Sequence, residues 1–163
     1  MRRRSCRDCA GDTPANLAEA LLWKLGRWTA YKNFSSDYHD PSAKAGKQNI
    51  VLWAFSRHLL NNDTPIFDQH ALRAIWAIGS LSRDEQATCK SFLIDEKGKW
   101  KPNGTGPAGV SCYKLFVAEI AELVESGDGI THRDLDRLLM PLGQAIKDLT
   151  GTYDEFHAVC SQQ

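Results

Sequence analysis

Apolar residues recur along this chain at helical intervals of three and four, and no segment sustains a period-two alternation, a pattern that predicts helices and no sheet. Thr13 and Pro14 start a first helix, with Leu17, Leu21, Leu25 and Trp28 on one face. The polar stretch from Asn33 to Gly46 reads as a loop, followed by a second helix carrying Ile50, Trp53, Ala54 and Leu60. A third begins at Asp68 and bears Leu72, Ile75, Trp76 and Ala77 before Gly79. Ser82 with Glu85 forms the capping box of a fourth, which runs through Phe92 and Leu93.

Lys97 to Gly109 is rich in glycine and proline and reads as a loop. Beyond it, Tyr113, Phe116, Val117, Ile120, Leu123 and Val124 make a buried helical stripe. Thr131 and Asp134 start another helix, with Leu135, Leu138, Leu139, Leu142 and Ile146. Pro141 should kink or interrupt it unless it marks a junction of two shorter helices. Thr152 and Glu155 start a last short one. The expectation is an all-α fold, one layered bundle of six or seven helices without internal repeats.

Length changes this picture little: 163 residues with 42% apolar content suit one domain over residues 13–163, with residues 1–12 as a basic tail. No run of about 18 apolar residues exists to span a membrane. Met1-Arg2-Arg3-Arg4 lacks the apolar stretch of a signal peptide, and five cysteines show no framework spacing, so a reducing cytoplasm is expected. The chain is expected to be a monomer. Charge matters more. Twenty basic and twenty acidic residues cancel overall, yet residues 1–101 hold 16 basic and 11 acidic, against 4 and 9 in residues 102–163. A basic first part with an acidic helical back can dock a duplex weakly, with marked salt dependence.

The candidate chemistry centres on Thr64-Pro65-Ile66-Phe67-Asp68-Gln69-His70-Ala71-Leu72-Arg73. An Asp ahead of a helix is by itself an N-cap, accepting bonds from the first free amides. Here Pro65 holds the approach extended and Ile66 and Phe67 anchor it, which fixes the carboxylate for chemistry. This segment resembles the one carrying the catalytic aspartate in the helix-hairpin-helix DNA glycosylase superfamily, where an apolar lead-in, an Asp, a His two residues on and a later Arg recur. The resemblance covers about a dozen residues.

It implies that Asp68 stabilises the positive charge that builds on the sugar as an N-glycosidic bond breaks, and orients or deprotonates the attacking water. It also implies DNA contacts for His70 and Arg73. Family members that cut the strand use an upstream lysine as nucleophile. Lys44 and Lys47 are the candidates here, and Lys47 reads better as a helix-start residue near DNA, so the expected enzyme is monofunctional. The chain departs from the family in lacking a Gly-x-Gly turn between residues 47 and 67, and Leu25-Gly26-Arg27 resembles half of that hairpin far upstream. The four-cysteine cluster of some members is missing too.

Gly104-Thr105-Gly106-Pro107-Ala108-Gly109 formally matches a dinucleotide fingerprint, but it follows lysines rather than a strand. Gly104, Gly106 and Lys101 instead suit phosphate contact, with Trp100 as an exposed stacker. Cys6 and Cys9 are half a zinc site without a second pair, so neither metal nor cofactor is expected. The resulting expectation is a glycosylase that flips and releases a modified base from double-stranded DNA, in base excision repair or defence against phage. Its rivals are a non-catalytic DNA-binding domain and a protein-interaction module such as a toxin or antitoxin partner.

Overall fold

The computed structural model describes residues 14–40, 42–45, 50–61, 63–101 and 107–160. Within them lie eight helices and no strand: α1 (Leu17–Lys24), α2 (Trp28–His39), α3 (Ile50–Leu60), α4 (Gln69–Ile78), α5 (Arg83–Leu93), α6 (Gly109–Ser126), α7 (His132–Leu149) and α8 (Tyr153–Cys160). Two isolated bridges, Ile94 to Trp100 and Lys99 to Thr152, tie the turn after α5 to the start of α8. The fold is all-α, as the periodicity predicts. No helix among the described residues is long and apolar enough to cross a membrane. The basic tail of residues 1–12 lies outside the described residues.

α4 is the centre. Ala71 to Trp76 are buried without interruption, so this helix has no solvent face over six residues and packs against α5, α6 and α7 at once. The aromatic lead-in does the same for its approach. Phe67 is fully buried, with ring centres 6.0 Å from Phe92, 5.5 Å from Tyr113 and 5.4 Å from Phe116. The capping boxes expected at Ser82–Glu85 and Thr131–Asp134 both form.

The N-terminal third differs from the sequence expectation. The first helix ends at Lys24, because Gly26 takes a left-handed turn (φ 66°) that only glycine adopts cheaply. Leu17, Leu21 and Leu25 consequently face solvent. The stretch expected as a loop from Asn33 is helical to His39. Tyr31, Phe34 and Tyr38 recur at helical spacing, and Phe34 packs its ring 5.8 Å from both Tyr38 and Phe55. That aromatic stripe outweighs the intervening serines and asparagine, which are poor helix formers. Pro141 sits inside α7, exposed, and the helix runs through it as one element.

The crossing of α4 and α7 is set by a missing side chain. A Cβ on Gly143 would lie 1.8 Å from the His70 carbonyl oxygen, so the two helices touch backbone to backbone. Gly143→Ala is expected to cost about 3 kcal/mol, at the upper end for overpacking, because a neighbouring backbone yields less than a side chain. Urea unfolding measures it; a variant as stable as the parent would mean that the crossing opens freely.

Candidate functional site: the start of α4 and the groove beside α7

Asp68 sits where extended backbone (φ −145°, ψ 175°) turns into α4. Its Oδ1 accepts from the amides of both His70 and Ala71, each at 2.7 Å. The capping role is therefore real. Both bonds fall on one oxygen, and Oδ2 has no hydrogen-bond partner among the described residues. The carboxylate is half-buried.

From Asp68 a line of contacts runs inward. The Arg73 guanidinium donates from Nη1 to the Gly143 carbonyl at 2.8 Å and lies 3.1 Å from His70 Nδ1. Because a guanidinium only donates, His70 Nδ1 must accept, which fixes a neutral imidazole with its proton on Nε2. Desolvation, then the charges of Arg73 and Lys147, hold the His70 pKa below its ordinary 6.5, against the pull of Asp68.

Arg73 is completely buried. Its guanidinium lies 4.3 Å from the centre of the Trp100 ring, and its Nε and Nη2 find no hydrogen-bond partner among the described residues. Burial pulls its pKa down to about 10, with the carboxylates of Asp68 and Asp148 opposing, so the side chain stays charged at neutral pH. A buried cation of this kind is tolerable only where rings and carbonyls replace water.

The sequence expectation for Arg73 and Trp100 as DNA contacts needs correction on exposure. Arg73 has no surface to offer. Trp100 is wedged edge-on against Trp76 (6.2 Å) and Phe156 (5.3 Å), with its Nε1 donating to the Thr150 carbonyl. The bridge to Ile94 and the arrival of α8 draw that indole inward, a tertiary effect that a local loop composition does not carry. Lys101 donates to the Ser91 carbonyl at 2.7 Å and borders a basin of about 710 Å³ with Lys90 and Lys97. Asp68 does not line that basin. Lys47, Gly104 and Gly106 lie outside the described residues, as does the Cys6/Cys9 pair. Among the described residues no cluster of His, Cys, Asp and Glu could hold a metal ion.

A second depression, about 720 Å³, opens between the end of α3, the segment 63–66 and the first turns of α7. Its polar wall carries His58, His132, Arg133, Asp136 and Arg137, and its apolar wall Ile66, Met140 and Pro141. The Ile66 amide donates to Asp136 Oδ1 at 3.2 Å, and His58 Nδ1 lies 2.7 Å from the Thr64 carbonyl, which requires Nδ1 to donate. These two bonds pin the approach to Asp68 from both sides. Burial raises the Asp136 pKa above its usual value, and the nearby Asp68 charge adds to that, while the Ile66 amide, His58 and His132 oppose it.

Asp68 itself does not line this groove; it is joined to it through Ile66 and through its charge on Asp136. Sequence reasoning missed Asp136, His58, His132, Arg133 and Arg137. The available signal was the pair of i, i+4 rows His132/Asp136 and Arg133/Arg137, which looks like any solvated helix face until a partner segment covers it. Compared with protein-family models, curated proteins and solved structures, the chain matches none.

The depressed His70 pKa has a thermodynamic consequence. Below pH 6.5 the unfolded chain binds a proton that the folded chain resists, so this contribution to stability is complete above pH 6.5 and is lost as pH falls beneath it. His70→Gln should therefore lose less thermal stability than the parent between pH 7 and pH 5. Equal losses in melting experiments would mean that the imidazole is not held in this environment.

Proposed function

We propose that the chain is a monofunctional DNA glycosylase-like hydrolase, breaking the N-glycosidic bond of a modified or damaged base with Asp68 as its catalytic carboxylate. What carries the reading is the unequal use of the two Asp68 oxygens: Oδ1 takes both capping bonds, which fix the group, and Oδ2 has no hydrogen-bond partner among the described residues. A carboxylate so held can stabilise an oxocarbenium-like sugar without reorganising. Further support is the neighbouring groove, whose size falls within the range of small-ligand sites. Among the described residues no lysine bonds to the Asp68 carboxylate, and hydrolysis by water fits this better than covalent strand cutting. Its biological setting is base excision repair or defence against phage DNA that carries modified bases.

One observation favours a second reading. Two short capping bonds are reason enough for an aspartate at this position, in which case the chain is a non-catalytic helical DNA-binding or protein-interaction domain.

Paired substitutions separate the two. Asp68→Ala removes the cap and should cost about 1 kcal/mol of stability. Asp68→Asn keeps an acceptor oxygen, so the fold and DNA binding should persist. Base release should nevertheless drop on the order of 10²- to 10⁴-fold. The assay incubates the protein with duplexes bearing different modified bases, scores alkali-labile abasic sites and identifies the freed base by mass. An active Asn variant, or no base released from any duplex by the parent, would sink the enzymatic reading.

A further inference from the structure

We propose that the groove between the α3–α4 connection and α7 is a nucleotide-binding site, holding one nucleotide unit with its phosphate toward the start of α7 and its base over Ile66, Met140 and Pro141. The groove adjoins the glycosidase site without including Asp68, and the inference rests on that reading only for where the nucleotide comes from.

The groove is graded along α7. His132 and Asp136 form one row four residues apart, Arg133 and Arg137 the next, and Met140 and Pro141 close both rows with apolar surface. From Arg133 to Met140 the helix rises about 10 Å. One end of the groove thus offers guanidinium forks beside the positive pole of an 18-residue helix. The other offers the apolar side chains of Ile66, Met140 and Pro141, which suit the face of a heterocycle.

Between the two ends lie groups suited to a base edge. Asp136 spends Oδ1 on the Ile66 amide, and no partner to its Oδ2 is present among the described residues. His58 donates through Nδ1 to Thr64, so its Nε2 remains an acceptor while the ring is neutral. Pro141 has no amide hydrogen, so the Arg137 carbonyl lacks the usual bond from four residues on. These are acceptors, suited to the amino and imino hydrogens along a base edge, and they lie over an apolar floor that a bare anion would not use.

The opposing charges are Asp63, Asp68, Asp134 and Asp136. Asp134 is committed to the Thr131 amide and hydroxyl and already feels Arg137 and Arg133. Asp136 has its Oδ1 committed to the Ile66 amide, and burial raises its pKa above the usual value. Asp63 is exposed at the rim. Asp68 lies outside the groove lining, so the groups that meet a phosphate at the start of α7 are the Arg133 and Arg137 guanidiniums and the His132 imidazole, with Asp136 further along.

The whole protein contains two methionines, Met1 and Met140, so a methyl-labelled methionine spectrum reports the groove floor with one assignment to make. His58 and His132 imidazole signals report the polar wall. The probes are the four deoxynucleoside 5′-monophosphates, a short single-stranded oligonucleotide and inorganic phosphate. At least one monophosphate or the oligonucleotide should shift Met140 and the imidazoles together. Combined Arg133→Ala and Arg137→Ala, both exposed and remote from the core, should weaken that binding on the order of tenfold.

Response to the oligonucleotide alone supports a nucleotide turned out of a strand; response to monophosphates alone supports a free nucleotide. A Met140 signal unmoved by every probe, or moved as much by inorganic phosphate, overturns the site. Groove binding without base release from any duplex keeps the nucleotide site and removes the glycosylase reading. Base release with a silent Met140 does the reverse.

Discussion

The absence of a side chain at Gly143 lets α7 lie directly on the His70 peptide, and much else in this molecule depends on that contact. With the helices that close, the Gly143 carbonyl comes within 2.8 Å of Arg73 and gives a buried guanidinium one of its few acceptors. The same approach fixes the register of α7 against the start of α4. Asp136, seven residues before Gly143 and so about 10 Å back along the helix axis, then comes level with Ile66. The groove follows from the crossing, because most of its lining belongs to α7 and the rest, with Ile66, to the end of α3 and the chain that leads into α4.

Arg73 is the costly part of this arrangement. A charge with no exposed surface is stable only if its neighbours replace most of what water supplied. Trp100 provides a ring face, Gly143 a carbonyl and His70 a lone pair, while Asp68 and Asp148 contribute opposite charge at longer range. Trp100 in turn is held by Trp76, Phe156 and the Thr150 carbonyl. α8, the last element in the chain, is thus coupled to the aspartate that begins α4 through one indole and one guanidinium.

How much of this was legible in the sequence depended on how local the determining interaction is. The stripe from Tyr113 to Val124, the capping boxes at Ser82 and Thr131 and the start of α4 at Asp68 are decided within four residues, and their helices form as read. α2 was hidden because Tyr31, Phe34 and Tyr38 are diluted by serines and an asparagine, and their helical value appears only once Phe55 packs on them. Trp100 read as an exposed stacker because its loop is polar and lysine-rich. The rings packed against it come from α4 (Trp76) and from α8 (Phe156), more than twenty residues before and more than fifty after. Asp136 read as part of a solvated helix face, since its environment is made by Ile66 and His58 from a distant part of the chain.

Capping and catalysis make compatible demands on Asp68. An aspartate that is free to rotate must be ordered before it can stabilise charge, and that ordering opposes the reaction. Two amides bound to the same oxygen remove the freedom in advance. The cap that explains the residue structurally is thus also the device that would hold its second oxygen still. Asp136 differs in kind: it has one amide partner rather than two, is partly desolvated, and feels the charges of His58 and His132. The two carboxylates thus sit in unlike surroundings, one fixed by two amides and the other partly desolvated against a single amide. That difference is set by α7 lying on α4, which brings Asp136 to the chain that leads into Asp68.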